Sequence, residues 1–346
     1  MANRRNRPIR ALSAGAACAV VLAIFAQGVM SSSAAALDNV SHPEGRPPAS
    51  DIIELGRALF FDTRLSSTDT VACATCHKPE RGFADGLRFS VGVTGTPMKR
   101  HTPHLYNLAW GRSFFWDGRA ASLEDQALEP IRNPDELGLP GDLAAQKLSG
   151  IPQYTEAFGR SFPKSGVTMK NVAAALAAFE RTLVARDAPI DRYNAGDKSA
   201  LGDAAVRGRE LFFGRGRCAT CHSGPNFTDG LFHNTGVSSG DDLGRAALDR
   251  VGEFQMRPYP FFQMRRAFKT PGLRNVALTA PYQHDGSEAS LEEVVRFYNL
   301  GGRDPQSYGK ALDIRALDLT DAQLDDLVAF LRALTSPDSV PAGVGR

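Results

Sequence analysis

The chain has 346 residues, of which 42% are hydrophobic and 23% charged, a composition typical of a globular protein rather than a disordered or fibrous one. Its formal net charge is +2, but the first 36 residues contain four arginines and no acid, and the rest carries 36 basic and 38 acidic side chains. This near balance gives no indication of a nucleic-acid or lipid partner. The remaining length is sufficient for two ordinary domains.

Residues 1–36 have the pattern of a secretory signal peptide. Four arginines lie within the first ten residues, and residues 14–29 are mostly small and apolar. Three alanines at 34–36 provide a cleavage site, so the mature chain is expected to begin at Leu37. Because the apolar run is short for a membrane span and is followed by serines, cleavage is favoured over a membrane anchor. We therefore predict a periplasmic protein with no membrane attachment after cleavage.

Residues 37–195 are predicted to form the first domain, whose main feature is the motif Cys-Ala-Thr-Cys-His at 73–77. Cys-x-x-Cys-His is the attachment signature of c-type haem. Cys73 and Cys76 would bond to the haem vinyl groups as thioethers, and His77 would bind the iron from one side. A zinc site would require four ligands at other spacings, and a redox-active cysteine pair needs no following histidine.

Residues 196–346 are predicted to form the second domain, with 195–202 as the linker. The same five-residue motif recurs there, with Cys218, Cys221 and His222 in the corresponding places. The two motifs use every cysteine outside the signal peptide, so no disulfide is expected. The sequence therefore predicts two covalently bound haem c groups.

Several helices can be placed in chain order. Ser122 and Ser290 each precede a Leu-Glu-acid phrase, which is typical of an N-cap followed by first-turn acids. Apolar residues at 172, 176, 179 and 183 share one face of a helix predicted to end near Arg186, and Thr320 precedes a C-terminal helix with an apolar stripe. Strand signals are sparse, so the fold is predicted to be mainly α.

The two halves of the chain are internal repeats. In one ungapped register, residues 102–107, 117–118 and 122–125 match 270–275, 285–286 and 290–293, and the segments before the haem motifs, 56–61 and 208–213, also match. Self-similarity of this kind indicates a duplicated unit. We predict two cytochrome c-like haem domains related by internal duplication.

Function depends on the iron ligand opposite each motif histidine. For the second haem the sequence offers Met256, Met264, His284 and Tyr298. Methionine would be the usual choice for an electron carrier. The residues alone leave these four alternatives open.

The chain resembles the bacterial di-haem cytochrome c peroxidases and their MauG relatives over nearly its whole length after the signal peptide. Both haem motifs carry the resemblance, together with the phrases FWDGRA at 115–120, FKTPGLRN at 268–275 and APYQHDG at 280–286. It implies two cytochrome c-like domains, a peroxide-reacting N-terminal haem and a six-coordinate C-terminal haem.

The resemblance also implies that Tyr298 is the distal ligand of the second haem, at a position that is methionine in ordinary peroxidases and tyrosine in MauG. A phenolate is a hard donor that stabilises ferric iron. In the ungapped register Tyr298 falls opposite Pro130, which cannot bind iron, and the loop at 90–95 lacks the capping histidine that ordinary peroxidases often carry. The first haem is therefore expected to be open and five-coordinate.

Three more residues match family positions near the first haem. Glu136 matches an acid that shuttles the peroxide proton, a role worth about 10²–10⁴ in rate, and Asp135 is the neighbouring alternative. Gln126 matches a glutamine that orients peroxide. Trp116 matches the tryptophan that relays electrons between the haems.

The family also holds a calcium ion between the haems, with two main-chain carbonyls and an asparagine side chain. Thr279 and Pro281 match the carbonyl positions, whereas His101 stands in place of the asparagine. Calcium prefers oxygen ligands. We expect calcium here, bound by carbonyls and water, or an altered site.

Three functions are compatible with these residues. A MauG-type enzyme would use hydrogen peroxide to oxidise a protein partner, the methylamine dehydrogenase precursor in which tryptophan tryptophylquinone forms. A cytochrome c peroxidase would instead reduce hydrogen peroxide with electrons from a small cytochrome or copper protein, and a non-enzymatic carrier would have two six-coordinate haems. Tyr298 and Pro130 favour the first, although Gly216 replaces the surface tryptophan through which MauG oxidises its substrate.

Overall fold

The computed structural model describes residues 45, 47–237, 241–251, 264–303 and 309–337. The predicted signal peptide and Met256 lie outside the described residues. Helices dominate the described part of the chain, where the only strands are β1 (Phe232–His233) and β2 (Phe268–Lys269), which pair antiparallel. The prediction of a mainly α fold is confirmed. Within the same residues, no helix combines the length and the apolar character needed to span a bilayer.

The helices follow one another in chain order. The first half contains α1 (Ser50–Phe61), α2 (Cys73–Cys76), α3 (Leu123–Arg132), α4 (Gly141–Ser149), α5 (Pro152–Ser161) and α6 (Met169–Glu180). Then come α7 (Pro189–Asn194), α8 (Asp203–Phe213), α9 (Leu291–Asn299) and α10 (Asp321–Arg332). Short 3₁₀ turns lie at Thr63–Leu65, Pro79–Arg81, Leu108–Trp110, Lys198–Ala200, Cys218–Thr220, Arg245–Val251 and Val276–Leu278.

Each half is built around one pair of crossing helices. In the first half α1 crosses α6, and a Cβ on Gly56 would lie 1.8 Å from the carbonyl oxygen of Ala175. In the second half α8 crosses α10, and a Cβ on Gly208 would lie 1.8 Å from the carbonyl oxygen of Asp326. Because only glycine lacks a Cβ, it alone allows so close an approach. The repeat seen in the sequence therefore extends to the helix packing.

Aromatic rings fill the core beside each crossing. Phe60 packs against Phe179 with ring centroids 5.2 Å apart, and Phe212 packs against Phe330 at 5.0 Å. All four side chains are buried, and full burial of one such ring contributes roughly 1.5–3 kcal/mol. The two halves therefore have separate hydrophobic cores of the same design.

The predicted helix starts are confirmed. The hydroxyls of Ser122 and Ser290 each accept a hydrogen bond from the main-chain N–H three residues ahead, at 3.0 and 3.2 Å. Thr320 likewise caps α10. Because α3 and α9 begin in the same way, Pro130 and Tyr298 occupy corresponding places in corresponding helices.

One predicted helix end is wrong, because α6 ends at Glu180 rather than near Arg186. The hydroxyl of Thr182 donates to the carbonyl of Phe179 at 2.6 Å, and the next residues leave the helix. There the carbonyl of Leu183 accepts a hydrogen bond from the main-chain N–H of Asn107 at 2.9 Å. This hydrogen bond to a distant segment takes the place of the one that the Leu183 carbonyl would accept if the helix continued. The side chain of Leu183 remains buried.

Helix α7 precedes the predicted domain boundary between residues 195 and 196, yet it packs with the second half. Ile190 belongs to the second hydrophobic core, and its N–H donates to the carbonyl of Ala333 at 3.3 Å. The position of the boundary stays a prediction.

Candidate haem sites

The first haem motif forms a single helical turn. Helix α2 contains Cys73 and Cys76, and the N–H of His77 donates to the Cys73 carbonyl at 2.9 Å. The Nδ1 of His77 donates to the carbonyl of Phe83 at 2.9 Å, which leaves Nε2 as the nitrogen able to bind iron. Burial lowers the pKa of His77, and this favours the neutral imidazole that coordinates metals.

The second haem motif repeats this local geometry. The N–H of His222 donates to the Cys218 carbonyl at 2.8 Å, and its Nδ1 donates to the carbonyl of Phe227 at 2.9 Å. Phe83 and Phe227 present their carbonyls from the same left-handed backbone conformation, with φ of 61° and 53°. The orientation of each candidate iron ligand is therefore fixed by the same device.

A cavity of about 1760 Å³ adjoins the first motif. Its wall includes the residues that the sequence predicts at the first haem. They are the haem-binding Cys73, Cys76 and His77, the distal Gln126, Pro130 and Glu136, the acid Asp135 and the indole of Trp116. The volume exceeds that of a pocket for a drug-sized ligand, about 300–1,000 Å³. Two thiols and one imidazole are the donors that a c-type haem needs. The residues therefore fit a covalently attached haem.

Glu136 is the better placed of the two adjacent acids. Its side chain is half-buried, and one carboxylate oxygen accepts a hydrogen bond from the Asn133 amide at 3.0 Å. Burial raises the pKa of Glu136, although the bond from Asn133 and the charge of Arg119 oppose the rise. Asp135 is exposed, with Thr94 as its hydrogen-bond donor. The geometry thus favours Glu136, whose role stays a prediction.

Neither histidine that follows the first motif has a ring free of main-chain contacts. His104 accepts a main-chain N–H at Nδ1 at 3.2 Å and donates from Nε2 to the carbonyl of Gly272 at 2.9 Å. The Nδ1 of His101 donates to the carbonyl of Leu87 at 2.9 Å. Pro130, meanwhile, lines the cavity from α3. This arrangement agrees with an open first haem.

Tyr298 lies on α9 in the second half of the chain. Burial raises the pKa of its phenol, a hydrogen bond from Gln283 lowers it, and the charges of Cys221 and Cys218 raise it further. Leu291 and Val295 of the same helix belong to the second hydrophobic core, against which Cys218 packs. Helix α9 therefore lies in the half that contains the second haem motif, and the role of Tyr298 as distal ligand stays a prediction.

His284, another candidate, takes part in the junction between the halves. Its ring stacks on Phe268 with centroids 3.5 Å apart and lies 6.5 Å from the ring of Trp116. Its carbonyl accepts a hydrogen bond from the N–H of His101 at 2.7 Å. Burial lowers the pKa of His284 to about 4, so its imidazole is neutral at neutral pH.

Trp116 joins the two halves through main-chain contacts. Its indole N–H donates to the carbonyl of His101 at 2.8 Å, and its own carbonyl accepts from the N–H of Lys269 at 2.7 Å. The first contact is within the first half, and the second reaches strand β2 of the second half. This position suits a residue that transfers electrons between the halves.

An ion-pair network supports the same junction. Arg100 bonds Asp117 at 2.6 Å and Asp242 at 2.7 Å, so one guanidinium links both halves. Asp117 also pairs with Arg119 at 3.1 Å. Because Asp117 is buried and follows Trp116, the network helps to fix the tryptophan in place.

The sequence analysis missed Glu180 and Lys269, two of the charged residues in the cavity wall. Glu180 is 6% exposed, its Oε2 has no hydrogen-bond partner among the described residues, and burial raises its pKa to about 8. Lys269 reaches the same cavity from the second half. The matched segments contained no signal for Glu180, because its correspondence to the buried Leu331 is seen only when α6 and α10 are compared in the structure. For Lys269 the sequence contained no signal.

The predicted calcium ligands do not form the expected set. Thr279 is buried, and Pro281 follows a cis peptide bond. His101 offers nitrogen, however, and its Nδ1 is already hydrogen-bonded to the carbonyl of Leu87. Calcium requires six to eight oxygen ligands. His101 therefore does not supply the oxygen ligand that the resemblance assigns to this place, and a calcium site built from carbonyls and water stays a prediction.

Comparisons with known proteins agree with these features. A family model described as "Di-haem cytochrome c peroxidase" matches residues 50–199, and one described as "Cytochrome c" matches residues 205–335. The chain is 44% identical over 298 residues to methylamine utilization protein MauG of Methylorubrum extorquens, covering 86% of this chain and 82% of that protein. This chain belongs to the di-haem cytochrome c peroxidase and MauG family. It is a haem-dependent oxidoreductase enzyme.

Other members of the family are also similar. Cytochrome c551 peroxidase of Pseudomonas aeruginosa is 34% identical, covering 86% of this chain and 82% of that protein. The crystal structure of a MauG-like protein associated with microbial copper homeostasis has a TM-score of 0.78 and 31% identity, covering 88% of this chain and 94% of that one. The di-haem peroxidase BthA from Burkholderia thailandensis has a TM-score of 0.74 and 25% identity, covering 89% and 93%. The predicted fold of two cytochrome c-like domains is confirmed.

Proposed function

We propose that the protein is a periplasmic di-haem enzyme of MauG type, which uses hydrogen peroxide at an open N-terminal haem to oxidise a protein partner. The observation that carries the proposal is the difference between two corresponding helices. Pro130 on α3 lines the first cavity, whereas Tyr298 has the corresponding place on α9, in the half that contains the second haem motif. The identity of 44% to a MauG protein, against 34% to a cytochrome c551 peroxidase, supports this branch.

The partner proposed is the methylamine dehydrogenase precursor, in which tryptophan tryptophylquinone would be formed. Two haem c groups would be held in the domains 37–195 and 196–346 by the residues of the two motifs, which are Cys73, Cys76 and His77 in the first and Cys218, Cys221 and His222 in the second. When bound, haem iron supplies the redox chemistry by which hydrogen peroxide takes two electrons and two protons and becomes two molecules of water. No step uses calcium.

Glu136 is proposed as the residue that moves the peroxide proton. Its carboxylate takes a proton from one peroxide oxygen and returns it to the other, so that the O–O bond breaks with water as the leaving group. The raised pKa of Glu136 favours uptake of this proton. The hydrogen bond from Asn133 holds the carboxylate in place.

Gln126 and Trp116 are assigned supporting roles. Gln126 lines the cavity from α3 and would orient peroxide by its amide. Trp116 would pass electrons from the second half to the first through the junction it bridges. At Gly216 a Cβ would lie 2.8 Å from the carbonyl oxygen of Leu211, so a tryptophan there would require the backbone to move. The partner must therefore be oxidised by another route than in MauG.

A cytochrome c peroxidase is the second candidate, supported by the similarity to cytochrome c551 peroxidases over most of both chains. In that case a small cytochrome or copper protein would supply the electrons. The reaction at the first haem would be the same, and the source of the electrons would differ. A non-enzymatic electron carrier is set aside because the family consists of enzymes.

The visible and electron paramagnetic resonance spectra of the oxidised, haem-loaded protein would test the proposal. We expect one high-spin and one low-spin ferric haem, and reaction with peroxide without prior reduction. In Tyr298→Met the low-spin signal should change while the high-spin signal stays. Two low-spin haems that open only on reduction would instead indicate a cytochrome c peroxidase. Peroxide-dependent quinone formation in the methylamine dehydrogenase precursor would then test the partner.

A further inference from the structure

Lys269 is a charged side chain at the edge of the first haem cavity. It belongs to the second half of the chain, yet it lines the cavity that contains Cys73, Cys76 and His77. Among the described residues its ammonium group has no hydrogen bond or ion pair. Burial alone lowers the pKa of Lys269, to about 8.

Strand β2 fixes the direction of this side chain. The N–H of Lys269 donates to the carbonyl of Trp116 at 2.7 Å, and its Cα pairs with Phe232 of β1. The preceding residue, Phe268, stacks on His284. Because successive side chains of a strand point to opposite faces, Lys269 points away from that stack and toward the cavity. Burial lowers the pKa of His104, another residue of the cavity wall, and the charge of Lys269 lowers it further.

Three arginines of the cavity wall differ from Lys269 because each already has carboxylate partners. Arg100 bonds two aspartates, Arg119 bonds an aspartate and a glutamate, and Arg274 bonds Asp191 at 2.7 Å. Lys269 is half-buried, and a charge removed from water is costly unless it is paired. Lys269 therefore lacks the carboxylate partner that each of these arginines has.

We propose that Lys269 binds a carboxylate of the haem attached at Cys73 and Cys76. A haem carries two propionate carboxylates, and one of them would supply the missing anion in the cavity where this haem fits. The inference rests on the haem at the first motif and not on the MauG-type reaction.

The proposed ion pair makes the first haem site depend on both halves of the chain. The haem is attached to the first half, whereas the ammonium comes from β2 of the second. Because the main chain of Lys269 is bonded to Trp116, the carboxylate would lie near the junction through which electrons are proposed to pass. Loss of the ammonium would leave a negative charge beside the iron and favour the ferric state.

The test compares haem-loaded Lys269→Met and Lys269→Arg with wild type and with Lys164→Met, which removes an exposed lysine. Haem content, spin state and the reduction potential of the first haem are measured at pH 7. In Lys269→Met we expect the ferric-to-ferrous ratio at a fixed potential to rise about tenfold, which equals about 59 mV for one electron. Lys269→Arg and Lys164→Met should match wild type.

A potential in Lys269→Met equal to that of wild type, with both haems loaded, would overturn the proposal. The alternative result is that Lys269→Met is isolated with less haem than wild type. Loss of haem from the first motif alone, together with a normal haem content in Lys269→Arg, would support the proposal. Equal loss of haem from both motifs would contradict the proposal. Excess sodium acetate distinguishes the source of the carboxylate. If acetate shifts the reduction potential of the wild-type protein but not that of Lys269→Met, Lys269 binds a free anion rather than a haem carboxylate, and the proposal is wrong.

Discussion

The first and second haem sites share one scaffold and differ in the side chains placed on it. Both have the same motif, the same left-handed carbonyl beside the histidine and the same glycine at the helix crossing. On the corresponding helices α3 and α9, however, one site has Pro130 and the other has Tyr298. The two halves thus share the means of holding a haem, and they differ in the residue at the predicted distal position.

The two halves also differ at one buried acid. The cavity at the first motif contains Glu136 and Glu180, both with raised pKa values. In the second half the position of Glu180 is taken by Leu331, which is buried among apolar residues. The second half does contain a buried acid with a raised pKa, Glu288, but Glu288 pairs with Arg303 at 2.7 Å. Among the described residues Oε2 of Glu180 has no hydrogen-bond partner. The two halves therefore differ in whether a buried acid is paired.

The largest effect is expected from Glu136→Gln. Without a carboxylate to move the proton, the rate of reaction with peroxide should fall by about 10²–10⁴. Stopped-flow spectroscopy of the oxidised protein measures this rate, with Asp135→Asn as the matched control because Asp135 is exposed. Equal losses in the two variants would contradict the assignment, and a Glu136→Gln variant as fast as wild type would remove Glu136 from the mechanism.

Replacing Pro130 with tyrosine tests whether the distal position alone separates the two sites. The substitution gives α3 the residue that α9 has in the same place, so the first haem should become capped. We expect the high-spin signal to be lost and the peroxide rate to fall at least about tenfold, since the open position is needed for peroxide. Pro130→Ala, which adds no ligand, should remain high-spin. A high-spin spectrum in Pro130→Tyr would show that the corresponding helices do not place their side chains alike.

A smaller effect, on stability, is expected from Glu180→Leu, which copies the second half. The pKa of Glu180 is raised to about 8 in the folded protein, from an ordinary value of 4.5. The folded state therefore binds the proton more tightly than the unfolded state does. This tighter binding contributes fully to the free energy of unfolding below about pH 4.5, and the contribution is lost as the pH rises toward 8. In Glu180→Leu this part of the pH dependence should be absent.

Denaturant unfolding of haem-loaded protein at pH 5 and pH 8 measures the difference. Each unit of pKa is worth about 1.4 kcal/mol, so we expect the decrease in the free energy of unfolding between these pH values to be smaller in Glu180→Leu by more than about 1 kcal/mol. Glu156→Leu removes an exposed acid and serves as the control. An unchanged pH dependence would mean that Glu180 is ionised in the folded state.

The smallest effect concerns calcium. His101→Asn restores the oxygen ligand that the resemblance assigns to this position, beside the carbonyls of Thr279 and Pro281. We expect metal analysis after dialysis against calcium to find more bound calcium in His101→Asn than in wild type. Wild-type protein that holds one calcium ion per chain, and loses its low-spin signal when a chelator removes it, would contradict our interpretation of His101.

Local sequence patterns determined the helix starts and the haem motifs. Three side chains cap helices, those of Ser122, Ser290 and Thr320. Each cap is a hydrogen bond from a main-chain N–H three residues ahead to the side-chain oxygen, so it depends only on the local sequence. The spacing of Cys73, Cys76 and His77 likewise fits within one turn of backbone. The repeat was visible because both halves use the same local devices.

Contacts between distant segments decided the rest. Helix α6 ends at Glu180 because Leu183 pairs with the main chain of Asn107, which no local pattern records. Lys269 enters the first haem cavity only because β2 of the second half lies against Trp116. Sequence alone determined what could hold each haem, whereas the tertiary structure decided which charges surround it, because burial and electrostatics depend on neighbours that are far apart in the chain.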